Sequence, residues 1–177
     1  VVVAIIAGAL AGGVTGLMIT KLNIPSLLAG ILTMTGMYSI NLRIMGKANV
    51  SLLGIDTIYS VFDGFNLPRH LDTILIGLLF VVIIVSLYSV FFKTEVGQSL
   101  IATGDNEAMA RSLGISTNVM KVLGLMMSNA IVSLAGAVIA QRNGYADIQM
   151  GIGAIVIGLA SVVIGEVIFT RVTLMVR

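Results

Sequence analysis

The amino-acid sequence predicts an all-α integral membrane protein, a polytopic bundle of about five transmembrane helices. Of its 177 residues, 58% are hydrophobic and only 10% are charged, and the mean hydropathy is +1.10. Soluble domains carry roughly 25% charged residues, so this chain has too little charge to solvate the surface of a globule. Apolar stretches of about 20 residues, the length that crosses the hydrocarbon core, also recur along the chain.

Five apolar segments meet this length requirement. They lie near residues 1–20, 24–42, 72–92, 119–140 and 149–169. The fifth segment contains several glycines and Glu166, so it forms either a full span, which we favour, or a broken, re-entrant pair of half-helices. The stretch between Arg43 and Leu71 is expected to lie along the membrane interface. Residues 1–177 are therefore predicted to form a single transmembrane domain.

The composition also excludes several functional classes. The net charge is +2, and the ten basic residues form no stripe, so no nucleic-acid partner is expected. The absence of cysteine excludes thiolate metal sites, and His70 is the one histidine. We therefore expect no metal and no cofactor in this chain. Val1 lies in an apolar run without Met or a basic flank, so the run is not a signal peptide, and we expect a fragment of a longer protein.

The distribution of basic residues predicts how the spans are oriented. If the segments alternate across the bilayer, six basic residues share one side: Lys21, Lys93, Arg111, Lys121, Arg171 and Arg177. Four share the other side: Arg43, Lys47, Arg69 and Arg142. Cytoplasmic loops carry the excess of Lys and Arg. The larger group, and with it the loop 93–118, is therefore expected in the cytoplasm.

Small residues recur at a spacing of four in the first span. Ala4, Gly8, Gly12 and Gly16 form one stripe of the predicted helix, and such a stripe lets two helix backbones approach closely in lipid. We predict a helix–helix contact there; a substrate path lined by the same glycines is the alternative. The short link that follows predicts an antiparallel hairpin, with Asn23 capping the second helix.

The polar loop 93–118 contains a predicted short helix from Asp105 to Leu113. Acidic residues lie in its first turn and Arg111 in its last, which complements the helix dipole. Gly114 supplies a left-handed stop. Met109 and Leu113 lie four residues apart and form a small apolar face. An amphipathic connector that rests on the membrane surface has the same pattern, so local chemistry alone leaves the role of the helix open.

The stretch from Ala102 to Ile115, which reads ATGDNEAMARSLGI, resembles the cytoplasmic loop of the permeases of ABC importers for branched-chain amino acids, ribose and related solutes. That family's pattern is Gly-x-Asn, a short helix containing Ala-Arg, and a closing Gly-Ile. The run 121–140 resembles the family's next helix. Stretches 20–32 and 38–46 resemble a subgroup linked to tryptophan or tyrosine uptake. Residues 162–169 depart from the family's Gly-Gly turn.

This resemblance implies that the loop helix is a cytoplasmic coupling helix, seated in a groove of a separate ATP-binding cassette subunit that binds and hydrolyses ATP. The residues expected to carry the coupling are Gly104, Asp105, Asn106, Glu107, Ala108, Met109, Arg111, Leu113, Gly114 and Ile115. The chain itself has no phosphate-binding Gly-x-x-x-x-Gly-Lys-Ser/Thr pattern, so it is expected to be a transport subunit and not an enzyme.

Further partners follow from the same resemblance. They are an extracellular or periplasmic solute-binding protein, a second permease subunit that is expected to be an identical chain, and the lipid of a bacterial plasma (inner) membrane.

Polar, uncharged side chains within the spans are candidates for a translocation path. They are Thr33, Thr35, Tyr38, Asn41, Asn129 and Ser133. Hydroxyl and amide groups without a fixed charge suit a zwitterion or a neutral sugar, and only the resemblance favours an amino acid. Each group could instead bond a neighbouring backbone carbonyl.

Two other functional classes stay open. An ion-coupled secondary transporter uses ionisable groups and broken helices within the membrane, and only Glu166 with the glycine-rich fifth segment fits that description. A non-transporting membrane scaffold would need no polar residues in its spans. A membrane enzyme is disfavoured because no carboxylate pair or nucleophile–base set converges.

Overall fold

The computed structural model describes residues 1–52, 54, 69–151 and 154–176. Within them, seven α-helices and two short strands follow one another along the chain. They are α1 (Val2–Lys21), α2 (Ser26–Met45), β1 (Asn49–Ser51), α3 (Arg69–Phe91), α4 (Glu95–Asp105), α5 (Glu107–Ser112), α6 (Thr117–Asn143), β2 (Tyr145–Asp147) and α7 (Ala154–Val176). The expected interfacial segment between Arg43 and Leu71 lies largely outside the described residues.

Among the described residues, α1, α2 and α6 are each long and apolar enough to cross a membrane. The Gly77–Phe91 part of α3 and helix α4 satisfy this criterion only when they are taken together. The chain bends by 88° between them. In α7, the described apolar helix Val156–Gly165 is shorter. The helical bundle agrees with the predicted fold class, while the number of five spans stays a prediction.

Among the described residues, the closest helix contact joins α1 to α6, and we call it the α1–α6 seam. A Cβ placed on Gly8 would lie 2.5 Å from the backbone oxygen of Asn129, and one on Gly16 would lie 2.9 Å from Cα of Val122. Residue numbers rise along α1 as they fall along α6, so the two helices are antiparallel. The seam confirms the contact predicted from the small-residue stripe.

α2 packs against α1 through a short link. The amide of Ile24 donates to the carbonyl of Met18 at 3.2 Å, and Asn23 adopts a left-handed φ of 52°. The predicted cap is therefore wrong, because Asn23 turns the chain and α2 begins after Pro25 without a side-chain cap. Ala29 of α2 is fully buried.

β1 and β2 form an antiparallel ribbon in which Asn49 lies opposite Asp147 and Ser51 opposite Tyr145. The ribbon marks the end of the bundle where α2 and α6 terminate. The ends of α1 and the beginnings of α2 and α6 lie at the opposite end. Three-residue strands are too short to produce the alternation that predicts a strand from sequence, so the ribbon was not foreseen.

Candidate functional site

The loop 93–118 folds into two helices instead of the single one predicted. After α3 the chain turns sharply, and α4 begins behind Thr94, whose Oγ1 accepts a hydrogen bond from the amide of Gly97 at 3.2 Å. A Cβ on Gly97 would lie 2.7 Å from Cα of Phe92, so only glycine fits the inside of this turn. A Thr cap with an acidic residue in the first turn, here Glu95, is the signal that could have revealed α4.

Asn106 ends α4 and begins α5. Its backbone is extended, with φ −152° and ψ 101°, which interrupts the helix. Its amide donates to the carbonyl of Ala102 at 3.0 Å, and its Oδ1 accepts from the amide of Met109 at 3.0 Å. The predicted helix from Asp105 therefore begins later, at Glu107, and Asp105 is the last residue of α4.

The end of α5 follows the prediction. Gly114 has a left-handed φ of 82° and donates its amide to the carbonyl of Arg111 at 3.0 Å. The amide of Ile115 reaches back to the carbonyl of Ala110, also at 3.0 Å. This hydrogen-bonded stop leads directly into α6.

Glu107 is the centre of a charged network that fastens α5 to α6. Its Oε2 accepts from Nζ of Lys121 at 2.7 Å and its Oε1 from Nη2 of Arg111 at 2.6 Å. Thr117 Oγ1 donates to Oε1 at 3.2 Å and accepts from Nε of Arg111 at 2.9 Å. We call these four residues the Glu107 network.

The network fixes the charge of its acidic member. The hydrogen bond from Lys121, followed by that from Arg111, lowers the pKa of Glu107 from 4.5 to about 2. The side chain keeps 36% of its surface exposed, and a single ion pair so exposed contributes little to stability. The effect of the network is therefore geometric, since one ionised carboxylate holds donors from two helices.

Two large apolar side chains project from α5 and its C-cap residue, Leu113. Ala110 is fully buried, whereas Met109 is 48% and Leu113 is 69% exposed. Of the ten predicted coupling residues, Glu107 and Ile115 are half-buried and the others are exposed at the same corner of the bundle. The structure thus brings the ten together, at the end where α1 ends and α6 begins.

The predicted path residues on α6 lie in the seam. Asn129 Nδ2 donates to the carbonyl of Leu125 at 2.9 Å, and Ser133 Oγ donates to the carbonyl of Ala4 on α1 at 2.7 Å. Both bonds satisfy polar groups within the helix pair.

The four path residues on α2 divide between two environments. Thr33 accepts from the hydroxyl of Thr15 on α1 at 2.8 Å and donates to the carbonyl of Ala29 at 2.9 Å. Thr35 bonds carbonyls of its own helix, and it is exposed together with Tyr38 and Asn41. The six residues are not brought into one site, and their role in translocation stays a prediction.

A family model described as "Branched-chain amino acid transport system / permease component" matches residues 1–173. The chain belongs to this permease family. Its apolar helices accordingly form a multi-pass membrane protein.

Individual relatives agree with this assignment. The chain is 44% identical over 170 residues to a tyrosine transport system permease protein of Clostridioides difficile, covering 96% of the chain and 55% of that protein. It is 37% identical to an uncharacterized protein of Rickettsia prowazekii, covering 94% of the chain and 57% of that protein. It is 31% identical to the autoinducer 2 import system permease protein LsrC of Yersinia enterocolitica, covering 93% of the chain and 44% of that protein. The chain thus spans about half the length of the curated relatives it matches. No solved structure matches the chain.

In this permease, sequence reasoning missed three residues that lie at the same end of the bundle as α5. Thr117 and Lys121 join the Glu107 network, although the sequence predicts for Lys121 only a place on the cytoplasmic side. Thr103 is buried and lines a mainly apolar cleft of about 730 Å³ between the end of α1 and helices α4 and α6. Only the fold reveals these neighbours, because the network crosses the turn between α5 and α6 and the cleft lies between helices that are distant in sequence.

Proposed function

We propose that this permease chain is part of the membrane-spanning subunit of an ATP-driven importer, in which α5 docks onto a separate ATP-binding cassette subunit. One observation carries the proposal. Met109 of α5 and its C-cap residue Leu113 are exposed, while Ala110 and Glu107 hold the inner face of α5 against the bundle. A short, firmly attached helix with two projecting apolar side chains is suited to seat in a groove of another protein.

The energy for transport comes from that partner in this proposal. The chain contains no Gly-x-x-x-x-Gly-Lys-Ser/Thr pattern to bind ATP phosphates. When the partner subunits close around ATP, they displace α5 and rock the membrane helices between two states. This places the α5 end of the bundle in the cytoplasm of a bacterium, and the ribbon end on the side where a solute-binding protein delivers its cargo to a pair of permease subunits.

A small amino acid is the substrate that we propose. The relative with 44% identity is named a tyrosine transport permease, whereas a relative with 31% identity is named an autoinducer 2 import permease, which imports a different kind of solute. Thr35, Tyr38 and Asn41 lie exposed along α2. They offer hydrogen bonds without a fixed charge, which suits a zwitterion or a neutral sugar, so the similarity to the tyrosine permease is what favours an amino acid.

The docking role is tested by Leu113→Asp in the full-length permease, expressed with its ATPase and binding protein. A charge on the projecting residue should abolish copurification of the ATPase and uptake into vesicles. Leu22→Asp is the matched control, because Leu22 is 65% exposed in the link between α1 and α2 at the same end of the bundle. Normal copurification and uptake with Leu113→Asp would refute docking through α5.

The substrate is tested by uptake of labelled tyrosine, tryptophan, leucine and ribose into proteoliposomes that hold the whole complex, with and without ATP. We expect ATP-dependent uptake of one or more of the amino acids. Entry of ribose alone would remove the amino-acid assignment and leave the importer. Uptake that follows an ion gradient without ATP would contradict the importer itself.

A further inference from the structure

α5 is connected to the rest of the bundle in two unlike ways. On one side a single extended residue, Asn106, joins it to α4. On the other side the Gly114 turn and the Glu107 network join it to α6. A helix of six residues is not stable alone, so these contacts determine its position.

The connection to α6 extends over two turns of that helix. Glu107 contacts Thr117 in the first turn and Lys121 in the second, and residues four apart lie on the same helix face. Thr117 is only 3% exposed, and Arg111 closes the set by donating to it from α5. A carboxylate held at two heights along α6 resists both sliding and rotation of α5 against that helix.

We infer that Glu107 and Lys121 are positioning residues that make α6 follow α5 when the ATPase moves it. This inference rests on the proposed function. Beyond Lys121, Val122 and Leu125 are the next residues of α6 that face α1, where they meet Gly16 and Gly12. A displacement of α6 is therefore passed to α1 across the α1–α6 seam.

A double-mutant cycle in the full transport complex tests this inference. Glu107→Gln, Lys121→Met and the double variant are compared by the amount of solute transported per ATP hydrolysed in proteoliposomes. Each single variant should lower this ratio by about five-fold, at the low end of usual coupling between sites. The double variant should be no worse than either one, because both remove the same link. Copurification of the ATPase with Lys121→Met should be unchanged, since this variant leaves all ten predicted coupling residues in place.

Glu95→Gln is the matched control and should leave the ratio unchanged. Glu95 is a carboxylate of α4 that makes no ion pair within the described part of the chain. Lys121→Arg keeps the charge and should also keep the ratio. If Glu107→Gln does not accumulate in the membrane, the contrast between Lys121→Met and Lys121→Arg decides.

Three results would overturn the inference. They are an unchanged ratio, additive losses of about 25-fold in the double variant, or loss of ATPase binding by Lys121→Met, which would mean that the network only holds α5 in place. Lys121→Met leaves the docking side chains Met109 and Leu113 unchanged. A failure of the proposed function would appear separately, as normal ATPase binding by Leu113→Asp.

Discussion

The α1–α6 seam is held together differently from the region where α4, α5 and the first turns of α6 meet, which we call the α4–α5 corner. In the seam, three glycines bring two backbones together, and Gly8, Gly12 and Gly16 are all buried. At the corner, Asn106 and the Glu107 network position two short helices by hydrogen bonds and charge. Lipid supplies no hydrophobic force between apolar helices, so close packing must do that work. The seam is therefore sensitive to volume, whereas the corner is sensitive to polar chemistry.

Adding volume to the seam should have the largest effect. In Gly12→Leu, the new side chain would meet the backbone of Leu125, and its Cβ would lie 2.9 Å from Cα of Met126. We expect destabilisation of about 3 kcal/mol or more, at the upper end for overpacking, measured by thermal unfolding in detergent. Gly30→Leu on α2 is the control, because a Cβ there meets nothing within 4 Å. Equal unfolding temperatures for the two variants would mean that the seam is not a tight contact.

Volume should matter at the corner only where the chain turns. In Gly97→Ala, the new methyl group would lie 2.7 Å from Cα of Phe92, so the angle between α3 and α4 has to open, at a cost of about 1–3 kcal/mol. Spin-label distances between the two helices should increase. Gly77→Ala on α3, where nothing lies within 4 Å, should leave them unchanged. An unaltered angle in Gly97→Ala would show that the turn tolerates a side chain.

Removing a hydrogen bond from the seam should have a smaller effect than adding volume. Ser133→Ala loses the bond to the carbonyl of Ala4, and polar contacts between membrane helices average about 0.6 kcal/mol. The unfolding temperature should fall slightly. Ser161→Ala, which removes a bond within α7 to the carbonyl of Ile157, provides the comparison. A loss as large as that of Gly12→Leu would mean that polar bonding, and not packing, holds the seam.

The smallest effect should come from pH, and it should be confined to the corner. Because the pKa of Glu107 is lowered from 4.5 to about 2, its ionisation stabilises the fold fully above about 4.5, and this stabilisation is lost as the pH falls toward 2. The difference in unfolding temperature between the parent protein and Glu107→Gln should be constant between about pH 6 and 8 and should shrink in acid. A difference that changes near neutral pH would contradict the ionised network.

The two regions also differ in how far sequence predicts them. The stripe in α1 was predictable because a spacing of four on a helix always produces one face. Its partner was not, since Ala4 and Ser133 are 129 residues apart and every apolar span was an equal candidate. At the corner, Gly114 was predictable because a stop after a charged helix needs a left-handed residue.

Other corner features depend on context that local patterns lack. Asn106 ends α4 and caps the start of α5. A pattern for a single helix instead predicts that the helix begins at Asp105. Lys121 and Glu107 are 14 residues apart, on either side of a turn whose geometry sets their distance. Asn23 has the residue type of a cap but occupies the left-handed position of a turn, because Pro25 fixes where α2 can begin.

The long separation within the seam has a consequence for how the protein is made. Ser133 leaves the ribosome 129 residues after Ala4, which is roughly 6 to 26 s later at about 5–20 residues per second. α2 to α5 are synthesised in the interval, so the glycine surface of α1 exists before the helix that covers it in the folded bundle. The glycine face of α1 therefore has to wait for α6, and any earlier association through the same glycines has to be reversible.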